Sequence, residues 1–128
     1  MARADGKARK RSAERRGRRS EYWAALVLIL KGHRILGRRI RTHAGEIDLV
    51  TRAPSGVLCF IEVKLRAGRA DAAEALRPRQ QERIARAAAL FVAAKPDLAE
   101  KGVRFDTMVL APGTWPQHIP DAWRPDAG

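Results

Sequence analysis

Residues 45–65 read GEIDLVTRAPSGVLCFIEVKL, and the reading of this stretch decides the fold. Two runs rich in Ile, Leu, Val and Phe, each of strand length, flank the turn formers Ala53-Pro54-Ser55-Gly56-Val57. Pro54 and Ser55 suit the centre of a type I turn, and Gly56 suits the left-handed position that closes a bulged three-residue loop. The stretch is therefore an antiparallel hairpin, and its turn sets its register. If Ala53 faces Val57, Asp48 falls opposite Glu62 and Glu46 opposite Lys64 on one face. Ile47 then meets Val63, and Leu49 meets Ile61, on the other. Val50 and Phe60 continue the charged face toward the turn.

Directly opposed Cβ atoms lie about 5 Å apart, and two carboxylates at that distance repel by roughly 3 kcal/mol at an effective dielectric of 20. A shared proton or the Lys64 ammonium would relieve that repulsion. So would a hard divalent cation with oxygen ligands, for which Mg²⁺ or Mn²⁺ is the natural occupant. Glu62 and Lys64 project to the same side of their strand, so a carboxylate that holds metal would have an ammonium beside whatever the metal polarises. The plainer alternative, a cross-strand ladder of salt bridges, sets like charges opposite each other.

Working outward, residues 21–31 form a first helix, with Trp23, Leu26, Val27 and Leu30 as its stripe and Gly32 as its stop. Both sides of this helix are apolar. Residues 34–42 suit an edge strand whose Arg38, Arg39 and Arg41 reach outward. In PRQQERIARAAALFVAAK, from Pro78, the residues Ile84, Ala88, Phe91 and Val92 share one stripe, with Pro96 beyond the helix end. VRFDTMVL, from Val103, is a fourth strand, and the remainder reads mostly as loop. This order predicts an α/β fold: a mixed sheet with its first three strands antiparallel and its fourth parallel, flanked by a helix on each face.

Length allows one domain with tails. Residues 20–123 would form it, residues 124–128 a C-terminal tail, and residues 1–19 a basic, disordered N-terminal tail. The chain carries 26 Lys and Arg against 14 Asp and Glu, a formal net charge of +12, which points to a polyanionic partner. Nucleic acid leads, with DNA ahead of RNA. The longest apolar run, Tyr22 to Leu30, is about half of the roughly 20 residues a membrane span needs, and no signal peptide is evident, so the expectation is a cytoplasmic protein without a membrane partner. Cys59 is the single cysteine, which excludes an internal disulfide and a thiolate zinc site and suits a small core residue. His33, His43 and His118 lack metal spacing and read as surface or phosphate-contact residues.

Asp48, the turn and then Glu62-Val63-Lys64 resemble the D…(D/E)xK signature of the restriction-endonuclease-like PD-(D/E)xK nuclease superfamily, with Ile47 where the name-giving proline would stand. Over roughly residues 14–123 the chain more specifically resembles the YraN family of bacterial endonuclease-like proteins. The matching pieces are Gly17 with Glu21 opening a helix, GEIDLV, FIEVKLR, RPRQQERI, VRFD and IPDAW. Ser20 stands where that family usually has Gly, and Gln80 where it usually has Lys. The resemblance implies a restriction-endonuclease-like fold with Asp48 and Glu62 as metal carboxylates, Lys64 as the catalytic lysine, and Glu21 as the acidic first-helix residue of Holliday-junction resolvase-like relatives.

For Glu21, helix capping is the competing explanation. Glu46 and Gln81 are candidates to support the site from behind, and Asp106 reads as a strand-end surface acid. Arg38, Arg39, Arg41, Arg66 and Arg69 flank the hairpin and would grip phosphate backbone without reading sequence. The expected function is metal-dependent hydrolysis of phosphodiester bonds in DNA, with branched or single-stranded intermediates of repair, recombination or uptake as candidate substrates. The alternatives are a non-catalytic nucleic-acid-binding accessory protein that keeps the nuclease fold, and a basic module associated with RNA or the ribosome. A protein partner in DNA processing and a homodimer are both compatible with the sequence.

Overall fold

The structure, a computed structural model, describes residues 20–66 and 78–125; the expected tail at 1–19 and Arg69 lie outside them. Helix α1 covers 20–30 and is followed by β1 (Arg34–Arg41), β2 (Glu46–Arg52) and β3 (Leu58–Leu65). Then come α2 (Pro78–Ala94), a 3-10 turn (Pro96–Ala99), β4 (Val103–Leu110) and β5 (Gln117–Trp123). The strands form one sheet in the order β1-β2-β3-β4-β5, antiparallel throughout except for the parallel pair β3 and β4.

The hairpin forms as its turn residues require. Gly56 has φ 93°, its N–H donates to the Ala53 carbonyl at 2.8 Å, and the Ala53 N–H donates to the Val57 carbonyl at 3.0 Å. This fixes the pairs Arg52↔Leu58, Thr51↔Cys59, Val50↔Phe60 and Leu49↔Ile61. The two strands face each other in that register from the turn as far as Leu49.

Each face of the sheet carries one helix. Ala24, Ala25, Val27 and Leu28 of α1 pack with Leu49, Cys59, Ile61 and Met108. Ile84, Ala87 and Ala88 of α2 pack on the opposite face with Ile47, Val50, Leu58, Phe60 and Phe105. Cys59 is fully buried in the first of these clusters. No helix among the described residues is long and apolar enough to cross a membrane.

The structure departs from the sequence reading in three places. In α1 the expected stripe keeps only Val27 inside, while Trp23, Leu26 and Leu30 are 56%, 45% and 69% exposed. A helix apolar on both sides gives periodicity nothing to choose between, and the small Ala24 and Ala25 let the backbone approach the sheet closely. Ile47 and Leu49 were expected on one face but belong to opposite clusters. At their level on β1, between the partners of Leu49 and Ile47, Arg39 has φ 50°, a local break in the extended backbone. Lastly, the expected C-terminal loop contains β5, paired antiparallel with β4. Its Pro120 lowers the strand signal, yet proline is tolerated on an edge strand, where its missing N–H costs no ladder bond.

Candidate active site

The paired β2–β3 register ends at Leu49↔Ile61, and beyond it a side chain supplies the next bond. Asp48 Oδ2 accepts the Val63 N–H at 2.8 Å. This holds the Asp48 carboxyl against β3, where it shares a hydrogen bond with Glu62. Two carboxyl groups can share such a bond only if one keeps a proton. Burial, then the charge of Asp48, then this bond push the Glu62 pKa up to about 8, against the opposing pull of the Lys64 ammonium. Asp48 is also raised, chiefly by burial, although the Val63 N–H and the Glu62 carboxyl draw it back. At neutral pH the pair therefore holds one proton. Lys64, two residues along β3 from Glu62, is 8% exposed.

Glu21 stands in the first described turn of α1 and is buried, so its carboxyl is raised by desolvation, with Arg39 opposing and Asp48 adding to the rise. Arg39 Nε lies 3.0 Å from Glu21 Oε1 and 3.9 Å from Glu46 Oε1. Arg39 was expected to reach outward; its left-handed backbone turns it into the acidic cluster, where it serves as counter-ion. Glu46 sits at the rim, 3.6 Å from the exposed Arg41. Arg38 lies over the Tyr22 ring at 4.7 Å. Arg66 donates from its guanidinium to the Leu65 carbonyl at 3.0 Å. Gln81 occupies the first turn of α2; in the next turn Arg83 packs against Gly45, where an added Cβ would lie 3.5 Å from that of Arg83.

A second polar group, which the sequence reading missed, is buried under the C-terminal end of α1. Asp106 is completely buried rather than a surface acid. It accepts two bonds from Arg104 at 2.8 and 2.9 Å, one from His118 Nε2 at 2.8 Å and one from the Asp121 N–H at 3.0 Å. Burial pushes its pKa up, but these bonds outweigh burial and hold the carboxyl well below the usual range. His118 Nδ1 accepts from Lys31, and His33, buried rather than at the surface, bonds Thr51 Oγ1 at 2.9 Å. The signal in the sequence was Arg104 and Asp106 spaced by two in one strand, which puts them on the same face. A cavity of about 730 Å³ lies between Lys101, Arg104, Trp123 and Arg124, and neither Asp48 nor Glu62 lines it.

Two half-buried carboxyls that share a proton form a donor set of the kind that suits a hard cation in place of that proton. Among the described residues no three His, Cys, Asp or Glu side chains form a ready metal cage. Asp48 and Glu62 therefore suit an ion such as Mg²⁺, which binds through one or two carboxylates and keeps its remaining positions for water and phosphate.

Comparison with known proteins finds a family model described as "Uncharacterised protein family UPF0102" matching residues 20–110. A UPF0102 protein of Parvibaculum lavamentivorans is 49% identical over 114 residues, covering 89% of this chain and 85% of that one. One from Paramagnetospirillum magneticum is 50% identical over 119 residues, covering 90% and 92%. Another, from Caulobacter vibrioides, is 45% identical over 123 residues, covering 96% and 98%. This is the YraN family of the sequence resemblance.

Proposed function

We propose that this chain, which belongs to the uncharacterised protein family UPF0102, is a metal-dependent nuclease of restriction-endonuclease-like fold that hydrolyses phosphodiester bonds in DNA. The observation that carries the proposal is the half-buried Asp48 carboxyl, held against β3 by the Val63 N–H at 2.8 Å beside the half-buried Glu62, with the buried Lys64 two residues further along that strand. A structural ladder would have no use for two like groups in contact. The bacterial cytoplasm is the proposed location.

Asp48 and Glu62 would hold Mg²⁺ or Mn²⁺. When bound, such an ion lowers the pKa of its water and offsets charge on the scissile phosphate. The protein's own residues do the rest. The Val63 N–H fixes Asp48, so the carboxylate is aimed before any ligand arrives. Lys64 places a positive charge where negative charge grows on the phosphoryl oxygens. Arg39 restrains Glu21 and offsets the surplus of acid around Asp48. Arg41, exposed at the rim, grips the phosphate backbone.

The test is incubation of the purified protein with single-stranded, duplex and junction DNA and with structured RNA, in Mg²⁺, Mn²⁺ or chelator. Metal-dependent cleavage that Asp48→Ala abolishes is the expected result. Lys64→Ala should abolish cleavage while leaving metal binding intact; loss of both would refute the division of roles. Binding of DNA or RNA unaffected by chelator and by Asp48→Ala, with no cutting, would make the protein a passive binding module.

A further inference from the structure

The apolar residues that α1 leaves in solvent adjoin the acidic site. Tyr22 follows Glu21 in sequence and is 61% exposed, and Leu26 and Ile29 carry the same outward stripe along the helix at 45% and 53%. Arg38 lies over the Tyr22 ring at 4.7 Å and has no ion pair among the described residues, so no described carboxylate takes up its charge. Glu21, Tyr22, Arg38 and Arg39 together line a groove of about 430 Å³. Glu21 and Arg39 belong both to this groove and to the charged surroundings of Asp48. One wall is therefore an aromatic ring with a guanidinium that no described carboxylate pairs, and the other leads to the carboxylates.

We infer that this groove is a stacking platform for an unpaired nucleotide of a single-stranded nucleic acid, with Tyr22 receiving the base and Arg38 the adjoining phosphate. An exposed ring offers any base a face on which to stack, and a guanidinium over that ring fixes its orientation while supplying charge for the backbone. A paired base is already stacked on its neighbours and gains nothing from Tyr22. The platform therefore selects single strands, or frayed ends, over intact duplex. The net charge of +12 supplies the electrostatic complementarity for this occupant. The inference deepens the nuclease reading by naming its substrate class, and it rests on that reading for why the groove adjoins Asp48.

The experiment is fluorescence anisotropy of the full chain with labelled oligothymidylate, oligouridylate and a mixed-sequence duplex of equal length, at one salt concentration with chelator present. Tyr22→Ala should weaken single-strand binding about 5- to 150-fold, the range for loss of one stacked base, and leave duplex binding unchanged. Tyr22→Phe should retain the affinity, which separates the ring from its hydroxyl. Dependence on Tyr22 with either sugar supports the platform, and the tighter of the two identifies the nucleic acid. An equal loss for single strand and duplex would overturn the inference, as would no loss at all. A change in sedimentation in place of a change in affinity would also overturn it, showing that the α1 face covers a second copy. Cleavage takes no part in this readout. Selective loss in Tyr22→Ala with no cutting under Mg²⁺ would keep the platform and end the nuclease reading. Metal-dependent cutting with binding indifferent to Tyr22 would do the reverse.

Discussion

Glu62 is the residue at which stability and the proposed function oppose each other. Its carboxyl sits beside that of Asp48, and its pKa in the folded chain is about 8, against an ordinary value near 4.5. A group raised on folding contributes stability that is fully present below the unfolded pKa and is lost as pH rises through the folded one. The metal-free protein should therefore lose thermal stability steadily between about pH 4.5 and about pH 8. Glu62→Gln, which keeps the shape and the hydrogen-bond donor without a titrating proton, should flatten that slope, and melting curves across the range read it directly. An unchanged slope would mean that the pair does not hold the proton. Alternation and turn chemistry predict Asp48 opposite Glu62, but the β2–β3 register ends at Leu49↔Ile61, and what holds Asp48 to β3 beyond it is the Val63 N–H, a bond that no sequence pattern marks. Arg39 as counter-ion was not legible, since nothing in RILGRRIRT marks which arginine takes a left-handed backbone.

At the scale of elements, the least legible part of the chain was the contact between β4 and β5. The register between them shifts between Phe105 and Thr107, and Asp121 across from the shift has φ 51°. Asp106 accepts the Asp121 N–H at this irregular point, so a buried side chain closes a gap in the backbone ladder. Arg104 and His118 complete its shell, and Lys31 continues the chain of bonds to the end of α1. Composition cannot disclose such an arrangement, because Pro120 and the turn-forming residues around it argue for loop while a single acid in the neighbouring strand makes the pairing worthwhile. Asp106→Asn keeps one acceptor oxygen but sets an amide donor among donors. It should cost about 3 kcal/mol, as expected for a broken buried ion pair, read from the urea midpoint. Because the Asp106 carboxyl is held low, its contribution should survive down to the ordinary carboxylate range and fade only as pH falls below it. A loss under about 0.5 kcal/mol, the size of an ordinary surface change, would show that β5 holds without this network.

Across the whole molecule, the antiparallel pairing of the first three strands, the parallel fourth and the placing of one helix on each face followed from hairpin length and a single long crossover. These are properties of the chain's punctuation more than of any one residue. What the sequence left undecided was which side of α1 faces inward, and that choice leaves Tyr22 outside beside the acidic cluster. The assembled protein thus sets two half-buried carboxyls where the β2–β3 register ends, with an exposed ring at the mouth of the neighbouring groove. The proposed function requires that a cation take the place of the proton held between Asp48 and Glu62. Titration calorimetry with Mn²⁺ near pH 7, repeated in buffers of different ionisation enthalpy, measures that exchange. The account predicts binding with release of about one proton per ion, the count expected when a ligand must deprotonate to bind, and loss of that release in Glu62→Gln. Binding with no proton released, or binding that survives Asp48→Ala unchanged, would contradict it.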